Sequence, residues 1–187
     1  HDSCNYSPRI KSNKRSHRLE FEHIVPAHAL GKNLQCWKKP ICEKRNGKKY
    51  KGRKCCSKIS DEYKQMQSDM HNLFPAVGEV NGDRSNFIFG EIYGEERKYG
   101  QCDFEVAERI AEPKKSIRGD IARSYFYMSH QYKMKIPDDY EELLRGWHLS
   151  DPPDEWKRDR NSLIEDVQGN RNPFIDYPEM VERVMDY

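Results

Sequence analysis

The stretch RLEFEHIV, Arg18 to Val25, carries Phe21, Ile24 and Val25 and runs directly into Pro26. It predicts a strand that stops there, because proline has no N–H to give a sheet ladder. Within it a carboxylate, Glu22, immediately precedes an imidazole, His23. Neighbours on a regular strand face opposite sides, so the two serve one site only at a bulge, a strongly twisted segment or a strand end. Pro26 puts an irregular end close by. A Glu-His pair by itself also has a structural reading, as a packed strand histidine, so its surroundings decide.

Those surroundings are strongly basic. Residues 1–58 hold sixteen Lys or Arg against four Asp or Glu, and the rest holds seventeen against twenty-seven, although the net charge of the 187-residue chain is only +2. Lys38 to Lys58 concentrates ten of the basic residues around a lone Glu43, with Gly47 and Gly52 between them. Such a segment suits a phosphate polymer, and the rival reading is a solvated, solubilising loop. Ala27 to Ile59 reads as a long basic insertion without regular elements.

Hydrophobic residues make up 35% of the chain and charged residues 34%, so the core must be lean, while 11% aromatics argue for a folded domain. No apolar run approaches the ~18 residues of a membrane span. The first residues, His1-Asp2-Ser3, carry no signal peptide and no initiator methionine, which fits a processed chain. Five of the six cysteines (Cys4, Cys36, Cys42, Cys55, Cys56 and Cys102) lie in loop-like surroundings. An even count suits disulfides and an oxidising compartment. The alternative is a zinc knuckle, but adjacent Cys55 and Cys56 and the spacing from Cys36 to Cys42 match the usual ligand hooks poorly. The spacing alone leaves the pairing open.

Further along, Asp61–Met70 predicts a short helix capped by Ser60, and Ser116–Tyr132 the clearest helix, from Ile117, Ile121, Tyr125, Met128 and Tyr132. Asp138–Trp147 and Asp154–Val167 are two more amphipathic helices. Between them and the basic insertion, His71–Phe87 reads as an apolar run broken by Pro75, then a turn or short helix. Arg118-Gly119-Asp120 falls inside a helix and is read as helix surface.

Together these groups suffice for metal-assisted phosphodiester hydrolysis. His23 has the pKa of a base that works near neutrality. Glu22 and the side-chain carbonyl of Asn81 offer hard oxygen ligands for Mg²⁺, which keeps several waters. Arg53 can neutralise charge on the phosphate.

The strings EHIVPA (Glu22–Ala27), QCW (Gln35–Trp37), DMHNLFPAVGEVNGDRSNF (Asp69–Phe87), YGQC (Tyr99–Cys102), RGDIARSYFYM (Arg118–Met128) and VQGNRNPF (Val167–Phe174), in this order, resemble the endonuclease I family of periplasmic and secreted bacterial nucleases. That resemblance implies an α+β fold with a ββα-metal (His-Me finger) core, a long disulfide-linked basic insertion and several surrounding helices. It implies a single nuclease domain over 1–187: an extended arm (1–17), a core at 18–87 with insertion 27–59, and a mainly helical remainder (88–187).

It further implies His23 as general base, Arg53 on the phosphate, and Glu22 and Asn81 on one Mg²⁺, replaceable by Mn²⁺ or Ca²⁺. The substrates implied are double- and single-stranded DNA, and RNA, cut with little sequence preference to 5′-phosphate and 3′-hydroxyl ends by a secreted or periplasmic monomer without membrane contact. Lys48, Lys49, Lys51, Lys54, Arg84 and Arg123 are candidates for nucleic-acid binding, with Arg84 and Arg123 alternatively pairing with the acidic second half of the chain. His71 and Asn72 are expected to orient the site or cap backbone groups, and His28 to be a surface histidine.

The sequence departs from the family pattern in three places. Gln67 stands where an acidic residue is usual, Cys42 and Cys55 are additions that suggest a pair of their own, and two cysteines near the C-terminus are missing. The competing reading is a non-catalytic extracellular nucleic-acid-binding module with the same charge and cysteines.

Overall fold

The computed structural model describes residues 4–94, 96–184 and 186–187. An arm carrying a helical turn at Lys14–His17 leads into strand β1, Leu19–His23. Helices α1 (Ala27–Gly31) and α2 (Gln35–Lys38), a hairpin of β2 (Cys42–Glu43) and β3 (Lys49–Tyr50), and helices α3 (Arg53–Ile59) and α4 (Asp61–Ser68) come next. The insertion expected to lack regular elements is therefore mostly regular. Its pieces are too short to be stable helices alone, and covalent links hold them. Cys36–Cys56 ties α2 to α3, and Cys42–Cys55 ties β2 to α3. The third bridge, Cys4–Cys102, fastens the arm. All six cysteines are thus in disulfides, which overturns the zinc alternative. On chain-entropy grounds the Cys42–Cys55 loop, separation 13, is worth about 3 kcal/mol, and Cys4–Cys102, separation 98, about 4.7.

Helix α4 starts as expected, with the Ser60 hydroxyl accepting from the Tyr63 N–H at 3.2 Å. After a turn at Met70–Asn72 comes β4, Leu73–Val77, antiparallel to β1 with Leu19 opposite Val77 and His23 opposite Leu73. Pro75 does not break this strand. Hydrogen bonds from Gly78 N to Arg18 O (2.9 Å) and from Ile24 N to Asn72 O (3.0 Å) set the alternation. They leave Pro75, opposite Phe21, at a non-hydrogen-bonded position where a missing N–H costs nothing. The pairing is unbroken through His23, so the Glu-His pair sits at a strand end and not at a bulge. Beyond that end the fully buried Asn72 substitutes for a strand: its Oδ1 accepts from Val25 N at 2.7 Å and its Nδ2 donates to Val25 O at 3.1 Å.

Helix α5, Gly78–Arg84, follows β4 and packs against both strands. Strands β5 (Ile88–Phe89), β6 (Phe104–Ala107) and β7 (Ile110–Pro113) form a second sheet in the order β5-β7-β6. The remainder is helical: α6 (Arg118–Tyr132), α7 (Asp138–Ser150), α8 (Glu155–Gln168), α9 (Pro173–Asp176) and α10 (Met180–Arg183). The core centres on α6, where Ile121, Ala122, Phe126 and Met128 meet Leu144 and Trp147 of α7 and Phe174 of α9.

Because apolar residues are few, polar groups are buried in satisfied networks. Asp69 Oδ2 accepts from the hydroxyls of Tyr127 and Tyr132, both at 2.7 Å. Arg118-Gly119-Asp120 is not helix surface. Arg118 is buried on Glu91 (2.5 Å) and Glu112 (2.6 Å), and a Cβ on Gly119 would lie 1.9 Å from the Asp151 carbonyl. Among the described residues no helix is long and apolar enough to cross a membrane.

Candidate active site

Among the described residues strand β1 pairs only with β4, and its Glu20, Phe21 and His23 border a cleft of about 520 Å³. His23, Arg53 and Asn81 all line this cleft, although they come from β1, α3 and α5. Glu22 is 7% exposed and is not part of its lining.

His23 is held by its distal nitrogen. Nε2 lies 2.7 Å from the main-chain carbonyl of Gln67 at the end of α4. A carbonyl only accepts, so Nε2 carries the hydrogen and Nδ1 keeps a lone pair. Burial pulls the His23 pKa below its ordinary value, and the positive charges of Arg53 and Arg84 act in the same direction, opposed by the Gln67 hydrogen bond. The ring is therefore neutral and able to accept a proton at neutral pH. The Gln67 side chain turns instead to Ser57 of α3, whose hydroxyl donates to Oε1 at 3.0 Å. The residue that departs from the expected acid thus serves through its backbone.

Alternation along β1 puts Glu20 and Glu22 on the face opposite Phe21 and His23. Burial raises the Glu22 pKa, and the Arg84 guanidinium, with Nη1 3.3 Å from Oε1, opposes that rise. Among the described residues Glu22 Oε1 has no hydrogen-bond partner. Asn81 donates from Nδ2 to Glu20 Oε2 at 3.0 Å, which directs its Oδ1 away from that carboxylate. Glu20 is held in turn by Arg15 (Nε at 3.0 Å) and Arg18 (Nε at 2.8 Å), and these pairs pull its pKa down to about 2.

The donor set fits a hard divalent cation. A buried carboxylate oxygen that faces the Arg84 guanidinium at 3.3 Å without a hydrogen bond, together with an amide oxygen, matches the one or two oxygen ligands that Mg²⁺ takes while keeping waters. Among the described residues no group of three or more His, Cys, Asp or Glu could hold a metal.

Arg53 is the first residue of α3, after Gly52 at a φ of +85°, and is exposed at the cleft. Lys48, Lys49, Lys51 and Lys54 are exposed on the hairpin, the segment after it and α3, outside the cleft lining. Lys51 Nζ donates to the Lys38 carbonyl at 3.2 Å.

Arg123 pairs with the acidic second half of the chain and Arg84 with Glu22, so neither is a free phosphate contact. Arg84 is 1% exposed, and its Nη1 and Nη2 donate to the carbonyls of His23 and Ile24, both at 2.6 Å. Arg123, also 1% exposed, donates to Asp151 O (2.7 Å) and Asp120 Oδ1 (2.8 Å). Both guanidiniums are committed to groups inside the fold, although Arg84 also borders the cleft. His28 is exposed, edge-on to Trp37, and His71 is buried against Tyr127. Sequence reasoning missed Glu20 and Arg15. The two-residue spacing of Glu20 and Glu22 was the available signal for the first.

Over residues 2–179 the sequence matches the family model described as Endonuclease I. It is 43% identical over 178 residues to a periplasmic deoxyribonuclease of Aeromonas hydrophila, covering 94% of this chain and 70% of that protein. An extracellular deoxyribonuclease of the same organism is 45% identical over 177 residues, covering 93% and 72%. An extracellular ribonuclease of Bacillus subtilis (strain 168) is 33% identical over 135 residues, covering 63% and 46%.

Proposed function

This chain belongs to the endonuclease I family and is an enzyme, and from that premise we propose that it is a Mg²⁺-dependent, sequence-nonspecific endonuclease of DNA and RNA that works in the periplasm or outside the cell. The observation that carries the proposal is the convergence of His23, Arg53 and Asn81 on one cleft, with the buried carboxylate of Glu22 next to His23 on β1. In this reading β1, β4 and α5 are a ββα-metal core, and residues 1–187 act as one nuclease domain, with 1–17 as its arm, 18–87 housing the site and 88–187 supporting it.

A Mg²⁺ ion held by Glu22 and Asn81, exchangeable for Mn²⁺ or Ca²⁺, would neutralise charge on the phosphate and on the departing 3′ oxygen. His23 does the proton work. Nδ1 accepts a proton from water as the water oxygen bonds to phosphorus, the bond to the 3′ oxygen breaks, and that oxygen takes a proton from solvent. The products are a 5′-phosphate and a 3′-hydroxyl. Gln67 holds the ring so that Nδ1, and not Nε2, meets the water. Arg53 donates to the nonbridging oxygens, where each such contact is worth roughly 2–4 kcal/mol at the transition state.

Cutting without sequence preference suits contacts made to the backbone by Lys and Arg, since these read no bases. The substrates proposed are double- and single-stranded DNA and RNA; the names of the Aeromonas relatives support DNA, and that of the Bacillus ribonuclease supports RNA. The reading is of a monomer. Incubation of plasmid with the protein tests it: nicking with Mg²⁺ that stops with EDTA is expected, whereas retention of DNA without nicking would leave a binding module only.

A further inference from the structure

The arm before β1 packs along α5 at two neighbouring rows of residues. At one, Tyr6 Oη donates to Glu79 Oε2 at 2.6 Å, the backbone N–H of Ile10 to Glu79 Oε1 at 3.0 Å, and Arg9 pairs with Asp83 at 2.9 Å. At the other, the turn at Lys14–His17 brings Arg15 against the helix. Two glycines one helical turn apart, Gly78 and Gly82, make room for this. A Cβ at Gly78 would lie 2.7 Å from the Arg15 carbonyl and 2.9 Å from Glu20 Oε1, and one at Gly82 would lie 2.3 Å from Arg15 Nη1. Asn81 sits between the two glycines in sequence, and Glu20 Oε2 accepts from its amide nitrogen at 3.0 Å.

An amide side chain has an oxygen end and a nitrogen end of nearly equal size, and only the oxygen end can ligate a cation. Something must choose between them. A carboxylate held by Arg15 and Arg18 only accepts hydrogen bonds, so it can face the amide NH₂ and repels the amide oxygen.

We infer that Glu20, locked by Arg15 against Gly78 and Gly82, is the positioning residue that fixes Asn81 with its oxygen toward the cation. This rests on the reading that Asn81 holds the cation. Glu20 is not itself a ligand here: its two oxygens are taken by Arg15, Arg18 and Asn81. The arm is thereby part of the site, because Arg15 belongs to it. Losing a partner that orients a ligand typically weakens metal affinity by ~10–100-fold.

The test is Mn²⁺ binding to the full chain, followed by electron paramagnetic resonance of the free ion. Four variants are compared with the parent: Asn81→Ala, Glu20→Met, Asn81→Asp, and the last two changes combined. Methionine keeps the volume over the glycines and removes the acceptor. An aspartate at 81 has two equivalent oxygens and needs no orienting.

Glu20→Met is expected to weaken Mn²⁺ binding about tenfold with Asn81 present, and to leave affinity unchanged or stronger when added to Asn81→Asp. Parent affinity in Glu20→Met overturns the inference. So does an equal loss in both backgrounds, which would make Glu20 a ligand or a purely structural residue. If Asn81→Ala binds Mn²⁺ like the parent, the cation reading itself fails, and that outcome is distinct from either of these.

Discussion

Replacing Arg84 by methionine separates a structural from a phosphate-binding role for that arginine. In the fold Arg84 makes two hydrogen bonds of 2.6 Å to the carbonyls of His23 and Ile24, faces Glu22 at 3.3 Å, and lies 4.3 Å above the Phe89 ring. A charge-assisted hydrogen bond is worth about 1.5–3 kcal/mol, and removing one member of a buried pair about 3–5, because the other is left without compensation. The terms overlap, so Arg84→Met should destabilise the protein by about 3–5 kcal/mol, read by urea denaturation with unchanged slope. In a chain of this size that lowers Tm by roughly 6–20 °C.

The structure also assigns where the cost goes. Without Arg84 the buried Glu22 is a charge facing no cation, so Glu22→Gln in the same molecule should recover roughly 0.5–3 kcal/mol as a coupling term. A loss under about 1 kcal/mol, or the absence of any coupling to position 22, would refute the reasoning. A steeply reduced DNA affinity in a fully stable variant would restore the phosphate-binding reading.

With His23 as the proposed base, only its neutral form is active; its pKa is lowered by burial, so the acid limb of the pH–rate profile should lie below the ordinary histidine value, and Arg53→Met should move that limb upward as well as slow cleavage. An acid limb at or above the ordinary value would contradict the burial argument. Changing Lys48, Lys49 and Lys54 to glutamine should reduce the slope of log K against log salt for duplex DNA by roughly 3, at about 0.9 for each phosphate no longer neutralised. Fluorescence anisotropy at several salt concentrations measures this, and an unchanged slope would make the hairpin lysines solubilising only.

Elements whose cause is local were legible in the sequence. The strand before Pro26, the Ser60 cap of α4 and the periodic helices α6, α7 and α8 all arise from patterns within one segment. The insertion did not read as regular, because helices of four to seven residues show no usable period and depend on two disulfides that no spacing specifies. Pro75 misled because its tolerance depends on the register with β1, a property of the pair and not of the segment. For Arg84 and Arg123 the sequence left phosphate contact and internal pairing both open, since it gives charge without depth. The hold on His23 left no trace at all: a main-chain carbonyl looks the same at every residue, and only the fold brings that of Gln67 to the ring.

In the proposed reaction the imidazole of His23 removes the proton from the attacking water. Single-turnover plasmid cleavage with saturating Mg²⁺ by His23→Ala tests this, with DNA affinity and thermal unfolding measured alongside. The rate should fall by roughly 10²–10⁴-fold, with DNA affinity and melting close to those of the parent. Cleavage near the parental rate by the folded variant would rule out His23 as the base.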